Sequence, residues 1–227
     1  MTAVRMPGIQ ACVFDAYGTL FDVHSAVERL RARVGEQAEA LSQLWRAKQL
    51  EYTWLRALMG RHADFWRVTG DALDYALART GVDPAIREPL MQAYLGLDAY
   101  PEVPDVLRRL REAGLKTAIL SNGEPTMLVA GARSAEIHRL LDGIFSVEEV
   151  GIFKPHPRAY QLAVDRLAVR RDQIAFQSSN AWDVSGAATF GLRAVWINRL
   201  GMPPERLPGA AEQELRDLSG LPALLGL

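Results

Sequence analysis

The sequence predicts an α/β fold, in which a parallel β-sheet carries helices on both faces and an all-helical segment follows the first strand. Short apolar runs alternate along the chain with helical stretches, which is typical of a parallel sheet covered on both sides. A long stretch early in the chain contains no convincing strand. These observations indicate a Rossmann-like core with an inserted helical cap.

Four short apolar runs are the predicted strands, at residues 9–14, 116–120, 174–177 and 193–197. Helices are predicted between them from proline starts and glycine ends, over residues 104–113, 157–167 and 183–190. Gly191 is the expected C-cap of the last helix. Strands and helices that alternate in this way predict parallel pairing of the strands.

Residues 22–97 are the predicted cap. Apolar residues recur there at helical spacing, first at Leu41, Leu44, Trp45, Tyr52, Leu55 and Met59, and then at Phe65, Val68, Leu73, Tyr75 and Leu77. Asp83 followed by Pro84 is typical of a further helix start. We therefore predict a catalytic core domain of residues 1–21 and 98–227 and a cap domain of residues 22–97.

The composition excludes several classes of protein. The 227 residues are 49% hydrophobic and 23% charged with a net charge of -1, so no basic surface for nucleic acid is expected. The apolar runs are too short to span a bilayer, and the N-terminus has no signal-peptide pattern, so we expect no membrane partner and a cytoplasmic location. Cys12 is the only cysteine, which excludes an internal disulfide and a cysteine-based zinc cluster.

Polar residues follow three of the predicted strands where each strand ends: Asp15 after the first, Ser121 and Asn122 after the second, and Ser178, Ser179 and Asn180 after the third. Each group taken alone is equally typical of a turn or a helix N-cap. In open parallel sheets, however, ligands bind outside the carboxyl ends of the strands. The convergence of three such groups predicts a functional site at this edge.

These residues resemble the motifs of a known superfamily. Residues 14–20, Phe-Asp-Ala-Tyr-Gly-Thr-Leu, are similar to the first motif of the haloacid dehalogenase superfamily, and residues 121–123, Ser-Asn-Gly, are similar to the second. Lys154 with Pro155 resembles the third motif, and residues 178–183, Ser-Ser-Asn-Ala-Trp-Asp, occupy the place of the fourth. The resemblance covers essentially the whole chain, including the helical insertion.

The chain departs from the superfamily pattern at its acidic positions. Most members are magnesium-dependent phosphatases, with a second aspartate two residues after the nucleophile and more carboxylates in the fourth motif. Here Tyr17 stands at the first of these places, and only Asp183 remains acidic in the fourth motif. Magnesium is usually held by carboxylates, and phosphoryl transfer depends on it. The departure therefore predicts a reaction without a metal or other cofactor.

Further segments resemble the L-2-haloacid dehalogenases of this superfamily, at residues 44–52, 151–155, 178–183 and 196–199. The resemblance implies that short L-2-haloacids, such as 2-chloropropionate and chloroacetate, become D-2-hydroxy acids and halide. Asp15 would attack the halogen-bearing carbon, and water would hydrolyse the resulting ester. The small 2-haloacid is the expected partner, and the resemblance also implies a homodimer.

The resemblance implies a role for each site residue. The catalytic set is Asp15, Thr19, Arg46, Ser121, Lys154, Ser178, Asn180 and Asp183. The substrate-binding set is Tyr17, Arg46, Ser121, Asn122, Tyr160 and Trp182, in which Arg46 and Asn122 bind the halide. Thr19 would orient Asp15, and Lys154 would be the cation beside it. Ser178, Asn180 and Asp183 would hold Lys154 and the hydrolytic water.

Simpler structural roles stand beside these for three residues. Asp183 is equally suited to be the N-cap of the helix that it begins. Tyr160 is equally suited to be an aromatic residue packed in the core between a helix and the sheet. For Arg46, helical periodicity alone favours a solvated position on the surface of a helix.

Three other functions compete with the dehalogenase prediction. The first is a magnesium-dependent phosphatase, and the second is a fluoroacetate-type defluorinase, which carries out the same chemistry on a stronger bond. The third is a catalytically inactive binding protein that kept the fold. None of the motifs encodes the favoured halogen or the length of the acid.

Overall fold

The computed structural model describes residues 5–227, and in these residues it contains one sheet of six parallel strands. The strands are β1 Ala11–Phe14, β2 Lys116–Ser121, β3 Gly143–Ser146, β4 Ile174–Ser178, β5 Arg193–Ile197 and β6 Gln213–Leu215. Their order across the sheet is β3-β2-β1-β4-β5-β6. The predicted α/β class is confirmed.

The strand order reverses at β1, since β2 and β3 lie on one side of it and β4, β5 and β6 lie on the other. At the end of β1, Phe14 is in register with Ile119 of β2 and with Gln177 of β4. The carboxyl ends of these strands therefore flank one point. Such a switch point forms the crevice in which open α/β sheets bind ligands.

The helices are α1 Ser25–Arg29, α2 Arg31–Val34, α3 Ala38–Leu58, α4 Phe65–Thr80, α5 Arg87–Tyr94, α6 Val103–Glu112, α7 Pro125–Ser134, α8 Pro157–Leu167, α9 Ala181–Phe190 and α10 Leu221–Leu225. Short 3₁₀ turns lie at Gly35–Gln37, Pro84–Ile86, His138–Leu140, Val147–Glu149, Arg171–Gln173 and Leu218–Gly220. Buried side chains of α6 and α10 share one core with Cys12 and Phe14 of β1. Those of α8 and α9 share another with Ala11 and Val13, so both faces of the sheet are covered.

The chain between β1 and α6 forms helices α1 to α5, and residues 22–97 contain no strand. The long helices α3 and α4 pack together, and the indole Nε1 of Trp45 donates to the Thr69 carbonyl at 2.9 Å. Residues 20–22 lie beside residues 98–100, because Asp22 N donates to Asp98 O and Tyr100 N donates to Leu20 O. The proposed domain boundaries near 21 and 97 stay a prediction.

Several details differ from the sequence-based expectation. Strands β3 and β6 were not predicted, and α9 begins at Ala181 rather than Asp183. The N-cap of α9 is Asn180, so the N-cap role suggested for Asp183 is wrong. Gly191 does end α9, with a φ of 101°. Every helix among residues 5–227 is too short or too polar to span a lipid bilayer.

The buried face of α3 also differs from the predicted one. Leu55 and Met59 were expected to be part of the apolar face, but they are 43% and 64% exposed. The buried positions of α3 include Leu41 and Trp45 and then continue through polar Gln49 and Thr53. A polar residue at a buried helical position indicates that the second half of α3 faces polar partners.

Candidate active site

The Asp15 carboxylate lies directly after β1 and is almost buried, with its side chain 9% exposed. One oxygen, Oδ1, accepts from Lys154 Nζ at 3.2 Å. The other, Oδ2, accepts from Asn180 Nδ2 at 2.8 Å, Thr19 Oγ1 at 3.3 Å and Ser178 Oγ at 3.4 Å. The carboxylate is thus held in one orientation, and Oδ1 carries fewer of the hydrogen bonds.

A tight turn after Asp15 places Thr19 against the carboxylate. Thr19 N and Leu20 N both donate to Ala16 O, and Gly18 has a φ of 89°, which favours glycine. The Thr19 hydroxyl accepts from Ser179 N at 2.8 Å, which leaves its own proton free to bond Asp15 Oδ2. The first and fourth sequence motifs therefore meet around one carboxylate.

Lys154 is fully buried between two carboxylates. Its Nζ donates to Asp183 Oδ2 at 2.8 Å as well as to Asp15 Oδ1. Its backbone N–H donates to Asn122 Oδ1 at 2.9 Å, which ties the second motif to the third. Tyr160 donates through its hydroxyl to Asp183 Oδ1 at 2.8 Å, so both oxygens of Asp183 have donors.

Burial and pairing set the ionisation of this group. Burial raises the pKa of Asp183 to about 6, and the Asp15 charge adds to that rise, while Lys154 and Tyr160 oppose it. For Lys154, burial alone would lower the pKa, but the two facing carboxylates outweigh it and the pKa is raised. A raised Lys154 pKa keeps the ammonium charged near neutral pH.

Helix α3 carries Arg46 over the edge of the sheet. Arg46 Nη2 lies 3.3 Å from both the Tyr17 carbonyl oxygen and Asn180 Oδ1, and Nη1 donates to Gln49 Oε1 at 2.7 Å. Asn180 is the residue that donates to Asp15 Oδ2. The solvated position that periodicity favoured for Arg46 is therefore wrong, because the guanidinium joins the group around Asp15.

Ser121 and Asn122 lie at the end of β2, both buried. The Ser121 hydroxyl accepts from Gly123 N at 3.1 Å. The Asn122 carbonyl oxygen is occupied by Lys154 N, so its amide nitrogen is the end left to donate to a ligand.

The aromatic residues of the predicted site take different positions. The Tyr17 ring is buried and lies 5.5 Å from the rings of both Phe65 and Tyr94. Trp182 meets the edge of Trp54 at 5.4 Å and lines an apolar cavity of about 690 Å³, which Lys154 also borders.

Tyr160 is fully buried behind Asp183, with its ring against Phe176 and Phe190. The structure thus places Tyr160 as a core aromatic, which is one of the roles weighed from the sequence, and its hydroxyl contact with Asp183 was not predicted. Direct contact of Tyr160 with substrate stays a prediction.

Two polar networks around the site were not predicted. Within the helical insertion, Gln49 accepts from Arg46, and Thr69 and Tyr94 bond to Gln49 in turn. Continuing the i, i+4 spacing from Leu41 and Trp45 leads to Gln49, and that spacing was the available sequence signal.

The second network centres on Arg199, which follows β5. Its Nη2 donates to the Thr19 carbonyl at 2.8 Å and pairs with Glu102 at 2.7 Å. Its guanidinium carbon also lies 3.6 Å from the centre of the Tyr100 ring. Arg199 thereby joins the loop after β1 to the segment that leads into α6.

The donor set does not fit the magnesium ion of the superfamily's phosphatases. Among residues 5–227, no three His, Cys, Asp or Glu side chains are grouped closely enough to hold a metal ion. Between the two nearest carboxylates, Asp15 and Asp183, lies the Lys154 ammonium, which would repel a cation. The Tyr17 carbonyl oxygen already accepts from Arg46 and Asn180.

Comparison with known proteins defines the family. The sequence profile of the haloacid dehalogenase-like hydrolases matches residues 9–191. The chain belongs to this family of hydrolases, as the motifs predicted.

Relatives that match nearly the whole chain are (S)-2-haloacid dehalogenases. The chain is 49% identical over 222 residues to (S)-2-haloacid dehalogenase 1 of Pseudomonas sp. (strain CBS-3), covering 97% of this chain and 98% of that one. It is 48% identical over 219 residues to (S)-2-haloacid dehalogenase 4A of Burkholderia cepacia, covering 96% and 95%. The predicted similarity to the L-2-haloacid dehalogenases is confirmed.

Solved structures agree with the fold. The crystal structure of a dehalogenase with an intermediate complex superposes with a TM-score of 0.95 at 47% identity, covering 97% of this chain and 98% of that chain. The L-2-haloacid dehalogenase of Xanthobacter autotrophicus with chloropropionic acid covalently bound superposes with a TM-score of 0.90 at 39% identity, covering 96% and 98%.

Proposed function

We propose that the protein hydrolyses short L-2-haloacids to D-2-hydroxy acids and halide, with Asp15 as the nucleophile and without a metal ion. The observation that carries the proposal is the buried Lys154 ammonium, which contacts both Asp15 and Asp183. A cation of the protein itself thus stands beside the proposed nucleophile, and the surrounding residues, in the part of the chain that the structure describes, do not form a group of metal ligands. The relatives named as (S)-2-haloacid dehalogenases support the choice of substrate.

In the first step, a lone pair of Asp15 Oδ1 forms a bond to the halogen-bearing carbon. The carbon–halogen bond breaks at the same time, and the halide leaves with its electron pair. Oδ1 suits this role because Oδ2 is held by three donors and Oδ1 by Lys154 alone. Attack from behind inverts the carbon and leaves an ester on Asp15.

The substrate is itself an anion, so positive charge must offset its approach. Two negative charges about 4 Å apart repel by roughly 4 kcal/mol at an effective dielectric of about 20. Lys154 supplies one cation at the nucleophile, and Arg46 supplies a second from α3. Ser121 and the backbone N–H groups after β2 are the proposed site for the substrate carboxylate.

The leaving halide gains charge as its bond breaks, and donors at that position stabilise the transition state more than the ground state. We assign this role to the Arg46 guanidinium and the amide nitrogen of Asn122. The contact of Lys154 N with Asn122 Oδ1 supports the assignment. It uses the oxygen of the Asn122 amide and leaves the amide nitrogen to donate to a ligand.

In the second step, water attacks the ester carbonyl carbon, which is Cγ of Asp15, and Asp183 takes a proton from the water. The bond from Cγ to the ester oxygen then breaks, the leaving oxygen takes up the proton that Asp183 received, and the product leaves with an oxygen atom that came from Asp15. The inverted carbon is untouched, so the product is the D-2-hydroxy acid. Because the pKa of Asp183 is about 6, this carboxyl is mainly ionised and able to accept a proton at neutral pH.

The remaining assignments belong to the same proposal. Tyr17 and Trp182 are proposed to line the apolar side of the substrate pocket, and Tyr160 to orient Asp183. Residues 22–97 are proposed to act as a cap that brings Arg46 to the core, and the active protein is proposed to be a homodimer.

The proposal is tested by a single turnover with excess enzyme in heavy-oxygen water. Label is expected in the Asp15 carboxylate and not in the first product, because the product oxygen comes from the enzyme. Label that enters the first product directly would mean that water attacks the substrate carbon, and the covalent mechanism would be abandoned. Asp15→Asn serves as the control and is expected to release no halide while keeping the fold.

A substrate panel tests the reaction class. Chloride release is expected from (S)-2-chloropropionate and not from its R enantiomer, and the product is expected to have the R configuration. Fluoride release from fluoroacetate would place the protein among the defluorinases. Magnesium-dependent cleavage of a small phosphate ester, without any halide release, would overturn the proposal.

A further inference from the structure

Helix α3 buries an amide that the reaction outlined above does not use. Gln49 is 1% exposed and lies one helical turn after Arg46. Its Oε1 accepts from Arg46 Nη1 at 2.7 Å and from the Tyr94 hydroxyl at 3.2 Å. Its Nε2 donates to Thr69 Oγ1 at 2.8 Å. Gln49 is thus bonded on both ends of its amide.

The Thr69 hydroxyl determines which way the Gln49 amide faces. Thr69 Oγ1 donates its single proton to the Phe65 carbonyl oxygen at 2.7 Å, one turn earlier in α4. It can therefore only accept from Gln49, which places Nε2 toward α4 and Oε1 toward Arg46. A flipped amide would set two donors against each other at Arg46. At Thr69 it would set two acceptor oxygens against each other, because the Thr69 proton is already given to Phe65 O.

The fixed amide determines the orientation of the guanidinium. Arg46 is held on Nη1 by Gln49, while Nη2 lies 3.3 Å from Asn180 Oδ1. The other end of the Asn180 amide donates to Asp15 Oδ2 at 2.8 Å. A continuous chain of hydrogen bonds therefore runs from α4 to the nucleophile, through Gln49, Arg46 and Asn180.

We propose that Gln49 is a positioning residue, which sets the Arg46 guanidinium in the orientation that stabilises the departing halide. Thr69 and Tyr94 act through Gln49 by fixing its amide. The inference rests on the proposed function, because it assigns Arg46 to the halide. It goes further, because it states that contacts between α3 and α4 determine the orientation of the Arg46 guanidinium.

The test compares leaving groups, because a misplaced halide donor affects a poor leaving group more than a good one. Gln49→Met keeps the length of the side chain and removes the amide. Displacement of a catalytic group by about 1 Å costs on the order of 100-fold, so kcat on 2-chloropropionate should fall roughly 10- to 100-fold. The fall on 2-bromopropionate should be several-fold smaller, and KM should change less than kcat.

Two further variants keep the test decisive. Gln43→Met alters an exposed glutamine of the same helix and should leave both rates unchanged. Thr69→Val removes the acceptor that fixes Gln49 while keeping the shape of the side chain, and it should show the same chloride-selective loss in weaker form. If Gln49→Met fails to fold, the chloride-to-bromide ratio of Thr69→Val decides.

The outcomes separate the two proposals. In one outcome, the wild-type enzyme turns over both haloacids and the Gln49 and Thr69 variants lose the same fraction of the rate on each. That result shows that Gln49 has only a structural role, and it overturns the positioning role alone. A wild-type enzyme that releases no halide from either acid overturns the proposed function, and this inference with it. A chloride-selective fall supports both.

Discussion

Tyr160→Phe is the substitution whose effect on the pH dependence follows most directly from the structure. It removes one hydroxyl, which donates to Asp183 Oδ1 at 2.8 Å, and keeps the ring that packs against Phe176 and Phe190. The hydrogen bond favours the ionised form of Asp183, and so it lowers the pKa of that carboxyl. Its removal must therefore raise the pKa further above the ordinary value.

The size of the shift follows from the strength of one hydrogen bond. A hydrogen bond to a charged group contributes about 1.5–3 kcal/mol, and one pKa unit corresponds to about 1.4 kcal/mol. Starting from about 6 in the native protein, the pKa of Asp183 should rise by roughly one unit or more in the variant. Because the proposed hydrolysis needs ionised Asp183, activity should be lost on the acid side at higher pH than in the native enzyme.

The assay is halide release from 2-chloropropionate as a function of pH. The acid limb of kcat should move upward by about one unit, while the rates of the two enzymes converge at alkaline pH. Tyr75→Phe, which removes the hydroxyl of a ring that is 43% exposed, is the control and should leave the profile unmoved. An acid limb that stays in place, or moves to lower pH, would show that a group other than Asp183 controls the rate.

Three further predictions concern the steps and the scaffold. Asp183→Asn should let the covalent adduct accumulate, because the water loses its proton acceptor. Intact-protein mass spectrometry after a pulse of substrate detects the adduct, and normal multiple turnover with no adduct contradicts the assigned role. Arg199→Met should lower the free energy of unfolding, measured in urea, by about 1.5–3 kcal/mol, because it removes charged hydrogen bonds to Thr19 and Glu102. The control, Arg61→Met at an exposed position, should leave that free energy unchanged, and equal free energies for the two variants would refute the expectation. Treatment with a strong chelator should leave halide release unchanged, because Lys154 occupies the position between the carboxylates, and loss of activity that added magnesium restores would contradict a metal-free reaction.

The position of the site was predictable because parallel strands impose it. Apolar runs that end in Asp15, Ser121 and Ser178 are visible in the sequence, and parallel pairing brings their ends to one edge. The short strands β3 and β6 were not predictable in the same way. The first has only the four residues Gly143–Ser146, and the second, Gln213–Leu215, is a largely polar edge strand of three residues.

Contacts between the helical insertion and the core could not be obtained from periodicity. The apolar pattern pointed to Leu55 and Met59 as buried, whereas the structure buries Gln49 and Thr53. A polar residue is acceptable at a buried helical position only when its partners are present, and these partners come from distant segments. For Arg46, the partner Asn180 lies 134 positions further along the chain, so only the resemblance to a family could suggest the contact.

Asp183 shows a different limit of sequence-based prediction. An aspartate near the start of a helix is typical of an N-cap, and that local preference is strong. The structure begins α9 earlier, at Ala181, and the buried Lys154 draws the carboxylate inward. Local propensity was outweighed by a charged partner that is 29 positions distant.

The helical insertion leaves and rejoins the core at neighbouring points, where residues 20–22 lie beside residues 98–100. Because the insertion leaves and rejoins the chain of the core at one place, it can be lengthened, shortened or grafted from another protein without altering the strand order beneath it. The proposed covalent chemistry at Asp15 belongs to the sheet, so the proposed cap can be exchanged in engineering, provided that the new helices again place a cation such as Arg46 beside Asn180.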